Sequence, residues 1–222
     1  MDNFNKLFDH TNLKPYVSDA DMKILCDEAV KYGFKTVAIN NANIERCKKF
    51  LEGSDVLVDA AVSFPLGQCT LETKLFETKN AIINGAGEVD YVINIAELKM
   101  GNYSYIEKEM REIVSICRKF NVTSKVIFEN CYLTDDEKIA LCKIANKIKP
   151  DFIKTSTGFG ISGATFADVK LMRENAIPEI KIKAAGGIRT LDMVEQFVQA
   201  GASRIGTSAA IKIVEELNER NR

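Results

Sequence analysis

Two lysines set the chemistry open to this sequence. Lys154 lies in DFIKTS and Lys183 in IKIKAA, two short apolar runs that each lead into a glycine-rich loop. Such runs read as strands of a parallel sheet, buried on both faces, where an ammonium group is out of place unless something pairs with it or uses it. On neighbouring strands the two amines lie within several ångströms of each other. Like charges in a low-dielectric site destabilise one another and burial adds to this, so one amine loses its proton more readily than a free lysine. A neutral amine near pH 7 attacks a carbonyl carbon, and its protonated partner stabilises charge or relays protons. Asp90 in EVDYVINI, two strands before Lys154, can offset that charge and move protons through a water. Asp9, Lys125 and Glu129 are also charged residues in or at the end of strand-like runs, although each taken singly fits a strand-end salt bridge. Lys181, near the start of the Lys183 strand, is expected at an exposed rim.

The loops beside these lysines suit an anion. Gly186 and Gly187 follow Lys183, and Gly206-Thr207-Ser208 opens the last helical segment. Glycines let backbone amides approach an anion closely, and a helix start adds favourable partial charge. The loop after Lys154, with Thr155, Thr157 and Gly158, offers further donors. A small phosphorylated substrate is therefore expected. Local geometry must hold it, because 30 Lys and Arg face 31 Asp and Glu, a net charge of −1. That balance gives no field for nucleic acid or an anionic membrane.

Other chemistries fit poorly. His10 is the only histidine, so a zinc site with two or three histidines is not expected, and Gly-x-Ser-x-Gly and His-Glu-x-x-His are missing. Metal hydrolysis and triad chemistry are therefore disfavoured, which leaves lysines and carboxylates as the reactive groups. Cys26, Cys47, Cys69, Cys117, Cys131 and Cys142 are scattered without a Cys-x-x-Cys pair; reduced thiols in a cytoplasm are expected, most of them as small buried hydrophobes. The opening MDNFNKLFDHTNLKP has no basic patch followed by an apolar run and does not read as a signal peptide. No apolar run approaches the roughly 18 residues that span a bilayer.

The elements that must position the lysines alternate along the chain. Strands are expected at KTVAIN from Lys35, VLVDAAVSF from Val56, EVDYVINI from Glu88, KVIFEN from Lys125, DFIKTS from Asp151, IKIKAA from Ile180 and SRIGTS from Ser203. A shorter eighth one around Phe8–Thr11 closes the set. Helix starts are marked at Ser18, Thr134 and Thr165, each followed by acidic residues in the first turn. Ile106, Met110, Ile113, Val114 and Cys117 fall on one helical face. KYGFKTV, NGAGEVDYV and QAGASRIGT each put a glycine between helix and strand, the short return of a parallel α/β fold. A single-domain (β/α)8 TIM barrel over residues 1–222 is the expected architecture, with reacting groups at the carboxyl ends of its strands. A doubly wound open sheet is the runner-up, weakened by the lack of a Gly-x-Gly-x-x-Gly or Walker motif.

At these residues the sequence resembles the deoxyribose-phosphate aldolases, a class I aldolase family. FDHTNLKP resembles the family's Asp-His-Thr-x-Leu-Lys opening. Phe64–Gly67 with Thr73-Lys74, EVDYVINIAELKMG, FIKTSTGF, KAAGGIRT and RIGTS follow in family order nearly end to end. The resemblance implies a Schiff-base lysine at Lys154, a second lysine at Lys183 that lowers its pKa, and a proton donor and acceptor at Asp90. It implies reversible cleavage of 2-deoxy-D-ribose 5-phosphate to D-glyceraldehyde 3-phosphate and acetaldehyde, without metal or organic cofactor. Asp9 and Lys125 would orient the substrate's hydroxyls, and amides around Gly186, Gly187, Gly206 and Ser208 would hold its phosphate. A homodimer is usual in the family, although no exposed stripe here requires one.

The sequence departs from the family pattern at several places. Cys-Val-Asn-Pro reads Ala38-Ile39-Asn40-Asn41, Glu-Thr-Gly reads Glu129-Asn130-Cys131, the second serine after Gly-Thr-Ser is Ala209, and the tail ends Asn221-Arg222 without a tyrosine. Losing one hydroxyl to the phosphate costs about 1–2 kcal/mol of affinity. Two other readings are a barrel lyase or isomerase on a different sugar phosphate and a non-catalytic sugar-phosphate-binding barrel. The second gives the paired lysines nothing to do.

Overall fold

Val, Ile and Ala dominate the interior of eight short strands: β1 (Phe8–Asn12), β2 (Thr36–Asn40), β3 (Leu57–Val62), β4 (Glu88–Val92), β5 (Thr123–Ile127), β6 (Phe152–Lys154), β7 (Lys181–Ala185) and β8 (Arg204–Thr207). All pair in parallel and in sequence order, and β1 also pairs with β8, so the sheet closes into a barrel. Closure removes the edges that an open doubly wound sheet would leave. This is a computed structural model that describes residues 4–222; Met1–Asn3, the start of the stretch read above for a leader, lie outside the described residues.

Helices fill the returns: α1 (Asp19–Tyr32), α2 (Ile44–Phe50), α3 (Leu71–Ile83), α4 (Ile95–Lys99), α5 (Tyr103–Lys119), α6 (Asp135–Ile148), α7 (Phe166–Asn175), α8 (Leu191–Gln199) and α9 (Ala210–Arg220). Their starts are chemically specified. Ser18 and Thr134 form capping boxes with Asp21 and Glu137, and the Thr165 side chain accepts from the Asp168 amide. Gly33, Gly85 and Gly201 take positive φ where helix turns to strand. The apolar face of α5 is buried at Ile106, Met110, Ile113, Val114 and Cys117, as its spacing predicts. All six cysteines are free, with Cys26, Cys47, Cys117 and Cys142 buried. No helix among the described residues is long and apolar enough to cross a membrane.

Two boundaries differ from the sequence expectation. β5 begins at Thr123 and ends at Ile127, which puts Lys125 in mid-strand and Glu129 beyond it at φ 56°. A left-handed residue cannot continue a ladder, so the chain turns there into the short 3-10 turn Asn130–Tyr132. β6 stops at Lys154, because its hydroxyl- and glycine-rich continuation peels away from the sheet.

A buried pair outside the barrel holds the end of β4. Lys74 of α3 and Glu109 of α5 are 2.6 Å apart with side chains fully buried. Lys74 donates to the Val92 carbonyl at 2.7 Å, and the Asn94 amide donates to Glu109 at 3.1 Å. The pair therefore fixes the strand that carries Asp90. Glu109→Ala would strand an ammonium group in an apolar layer, and a loss of about 3–5 kcal/mol is expected. Thermal denaturation should show a Tm roughly 10 °C lower; a change of only a degree or two would show that Lys74 finds solvent.

Candidate active site

The register of β6 and β7 sets Lys154 directly opposite Lys183. Partners in a parallel ladder point to the same face, so both amines enter the barrel. Lys183 lies in the middle of its strand, not at its end, and is the more deeply placed of the two, 1% exposed against 4% for Lys154. They meet on one atom. Asp90 Oδ2 accepts from Lys154 Nζ at 2.5 Å and from Lys183 Nζ at 2.7 Å, in direct contact and not through the water expected from sequence. Lys154 Nζ also stands 5.2 Å over the Phe64 ring.

Beneath this junction the barrel interior is ionic. Lys125, Lys154, Lys183 and Arg204 face Asp9, Asp59, Glu88 and Asp90, one cation for each carboxylate. Lys183 contacts Asp9 at 2.5 Å and Asp59 at 2.8 Å. Lys125 lies 2.7 to 2.8 Å from Asp59, Glu88 and Asp90. Arg204 bridges Asp9 at 2.7 Å and Glu88 at 2.8 Å, and the Thr36 hydroxyl donates to Asp9 at 2.8 Å. Every strand thus gives a side chain to one network.

This network divides the two lysines electrically. Burial pulls Lys154 below the ordinary lysine pKa; the Asp90 carboxylate pushes it back up, Lys183 pushes it down, and the net direction is down. Burial also disfavours charged Lys183, but Asp59, Asp9 and Asp90 outweigh it and hold the ammonium well protonated. Asp90 is disfavoured as an anion by burial, yet Lys125, Lys154 and Lys183 hold it well below the carboxylate range. One amine is primed to lose its proton, with burial rather than repulsion from Lys183 the largest cause, and the other is held protonated by its three carboxylates.

Above the ions opens a cavity of about 480 Å³. Lys154, Lys183 and Asp90 reach its floor, and Thr157, Gly158, Gly186, Gly187, Gly206 and Ser208 contribute to its wall. Asp9, Lys125 and Thr155, expected from sequence to meet a substrate, are not on that wall. Asp9 and Lys125 are fully buried in the ionic layer, where they hold Lys183 and Asp90 in place. Thr155 is consumed in tying β6 to β7: its hydroxyl donates to the Ala185 carbonyl at 3.3 Å and accepts from the Ala185 amide at 3.2 Å.

The remaining wall residues have separable roles. Thr157 is clamped by Glu129, which accepts from its amide at 3.1 Å and from its hydroxyl. Gly186 and Gly187 line the cavity and take φ of 90° and 79°, conformations that side chains resist. A β-carbon on Gly163 would overlap the Gly186 carbonyl, so the loops after β6 and β7 lean on each other. Gly206 makes room: a β-carbon there would stand 3.1 Å from Lys183 Cε. Lys14 and Arg189 at the mouth add positive charge.

Sequence reasoning missed Asp59, Glu88 and Arg204. Each is a charged residue inside a two-sided buried strand, the same signal that marked Lys154, and applying it evenly along VLVDAAVSF would have found Asp59.

Comparison with known proteins agrees with this geometry. The model of the DeoC/LacD family aldolases matches residues 4–215. A deoxyribose-phosphate aldolase of Lactobacillus acidophilus is 56% identical over 220 residues, covering 99% of this chain and 93% of that one. One from Bacteroides thetaiotaomicron is 52% identical, covering 96% and 90%. The solved deoxyribose phosphate aldolase of Aeropyrum pernix, described as a tetramer, superposes with a TM-score of 0.90 at 29% identity, covering 97% of this chain and 91% of that one. With motifs strung along the sequence and a family match that runs from residue 4 into the last helix, the chain belongs to the DeoC/LacD aldolase family.

Proposed function

We propose that the chain is a deoxyribose-phosphate aldolase, cleaving 2-deoxy-D-ribose 5-phosphate reversibly to D-glyceraldehyde 3-phosphate and acetaldehyde through an imine on Lys154. The observation that carries this reading is the buried Lys154 amine at the cavity floor, held below its ordinary pKa beside a lysine that stays charged. The neutral amine adds to C1 of the open-chain sugar, and loss of water leaves an iminium. That cation draws electrons from the C2–C3 bond as the C3 hydroxyl loses its proton, releasing glyceraldehyde 3-phosphate and leaving an enamine. Protonation at C2 and hydrolysis free acetaldehyde and regenerate the amine.

Asp90 touches both lysines and is the residue suited to pass protons at the imine carbon and nitrogen. The amides of Gly186, Gly187 and Ser208, near the start of α9, suit the phosphate, with Gly158 and Thr157 across the cavity. Asp9 and Lys125 act from beneath by fixing the charged partners. The chain's own side chains supply every step, so no metal or organic cofactor enters. A cytoplasmic place for the enzyme accords with its free thiols, and a homodimer remains part of the family-based reading.

Borohydride reduction in the presence of acetaldehyde or deoxyribose 5-phosphate tests the reading. Peptide mass mapping should find a reduced adduct on Lys154. Folded protein with Lys154 unmodified would refute it, and an adduct without acetaldehyde as product would redirect it to another sugar phosphate.

A further inference from the structure

A charge balance constrains what happens when Lys154 becomes a nucleophile. With all groups ionised, the buried layer holds one cation for each carboxylate. Sending the Lys154 proton to bulk water would leave a net negative charge in the barrel interior, where an unpaired charge is expensive. Moving the proton to a carboxylate of the same layer keeps the sum at zero. The structure offers a continuous path: Lys154 donates to Asp90 Oδ2 at 2.5 Å, Lys183 donates to the same oxygen at 2.7 Å, and Lys183 also donates to Asp59 Oδ2 at 2.8 Å, while Lys125, 2.8 Å from the other oxygen of each carboxylate, links the same two residues a second time.

Asp59 is the terminus best suited to keep that proton. Asp9 has Lys183, Arg204 and Thr36 on it, and Asp90 has three lysines. Asp59 and Glu88 each have two cations, but Glu88 has Lys125 and Arg204 and does not touch Lys183 or the cavity, whereas Asp59 has Lys125 and Lys183, is 1% exposed and borders the cavity. The charged groups facing it are Asp9 from β1, Glu88 and Asp90 from β4, Lys125 from β5, Lys154 from β6 and Lys183 from β7, while β2 brings no titratable side chain against it. Burial raises its carboxyl, the Asp90 charge raises it further, and the two lysines recover only part, leaving it at about 6.

We propose that Asp59 is the proton-holding and positioning residue of the imine step, taking the Lys154 proton through Asp90 and Lys183 and returning it when the carbinolamine loses water. Asp90 Oδ2 receives the proton from Lys154; Lys183 passes one of its own to Asp59 and takes the one on Asp90. The neutral amine then forms the N–C1 bond. The stored proton travels back, the C1–O bond breaks, and the hydroxyl leaves as water. The starting ammonium and aldehyde thus become an iminium and one water, with Asp59 again ionised and no proton exchanged with solvent. This rests on the imine reading above and adds to it a residue that the reading does not require.

The test compares wild type with Asp59→Asn, which keeps the shape and an acceptor but cannot store a proton, and with Asp59→Glu, which restores a carboxyl. Adduct formation on Lys154 with acetaldehyde is followed by rapid quench into borohydride across pH 5–9 (roughly the range over which such groups exchange protons). Asp59→Asn is expected to form the adduct about 100-fold more slowly near pH 7, with a pH profile that loses the limb due to Asp59 and a rate that rises with small buffer acids. Asp59→Glu should recover much of the rate. An Asn variant within twofold of wild type with an unchanged profile overturns the proposal. A measurement needing no variant is time-resolved difference infrared spectroscopy of wild type mixed with acetaldehyde: a protonated-carboxyl band should rise as the Lys154 amine turns neutral and vanish as the iminium forms, and its absence throughout, or its persistence in the iminium, would also overturn the proposal. If wild type gives no Lys154 adduct, the imine reading itself falls and this inference with it, an outcome distinct from a wild type and Asn variant that react alike.

Discussion

Lys154→Met is expected to abolish turnover, lowering kcat by roughly 10⁴-fold or more, because enzyme accelerations of this size cannot survive loss of the covalent step. The thioether fills nearly the volume of the lysine stem and leaves the Phe64 contact apolar. The variant should fold, since Asp90 keeps Lys125 and Lys183 after losing Lys154. It should still bind the phosphorylated sugar, because the loops around Gly186 and Ser208 are untouched. Steady-state rates with a binding titration check both halves. Residual turnover within about 100-fold of wild type would show that another group forms the bond.

Lys183→Leu has the second largest expected effect, and it has a direction in pH. Burial keeps Lys154 low, Asp90 raises it and Lys183 lowers it. Removing Lys183 deletes a positive neighbour and leaves the negative ones, so the Lys154 pKa rises and less of the amine is neutral at pH 7. Turnover near neutrality should fall about 10³-fold, with partial recovery as pH rises, because the acid limb of the kcat/KM profile moves to higher pH. The substitution also unpairs Asp9, Asp59 and Asp90 from a shared cation, so a stability loss of about 3–5 kcal/mol is expected alongside. A folded variant with a near-normal rate at neutral pH would remove Lys183 from this role.

The two lysines were legible in the sequence because a long cationic side chain in a strand buried on both faces has few bland explanations. Closure of the barrel was legible for a related reason: glycine returns recur at three of the helix-to-strand turns and acidic helix starts at three of the helices read from sequence, so local chemistry and global topology agree. The partners of each charge were not legible. Asp59 and Lys183 are 124 positions apart, and Asp9 and Arg204 are 195 apart; only the closed register brings them together. Distance from the cavity was equally hidden. Asp9, Lys125 and Thr155 sit in motifs adjoining the site, but strand pitch places them one layer below it or spends their hydrogen bonds between strands. The end of β5 was misplaced because Phe128 and Glu129 look like strand residues until the positive φ of Glu129 is known.

The ionic layer carries a consequence for how the molecule is made. β1, carrying Asp9, leaves synthesis first, and β8, carrying Arg204, leaves it last. Until the final strand docks, Asp9 and Glu88 lack their guanidinium; and with β7 still undocked as well, Lys154 lacks Lys183 and the full burial that together lower its pKa. A partly assembled sheet would therefore hold its prospective nucleophile in an inert, protonated form. Under the imine reading, the amine becomes reactive only as β7 and β8 dock, so a nascent or unravelled chain is expected to be spared indiscriminate imine formation at this lysine.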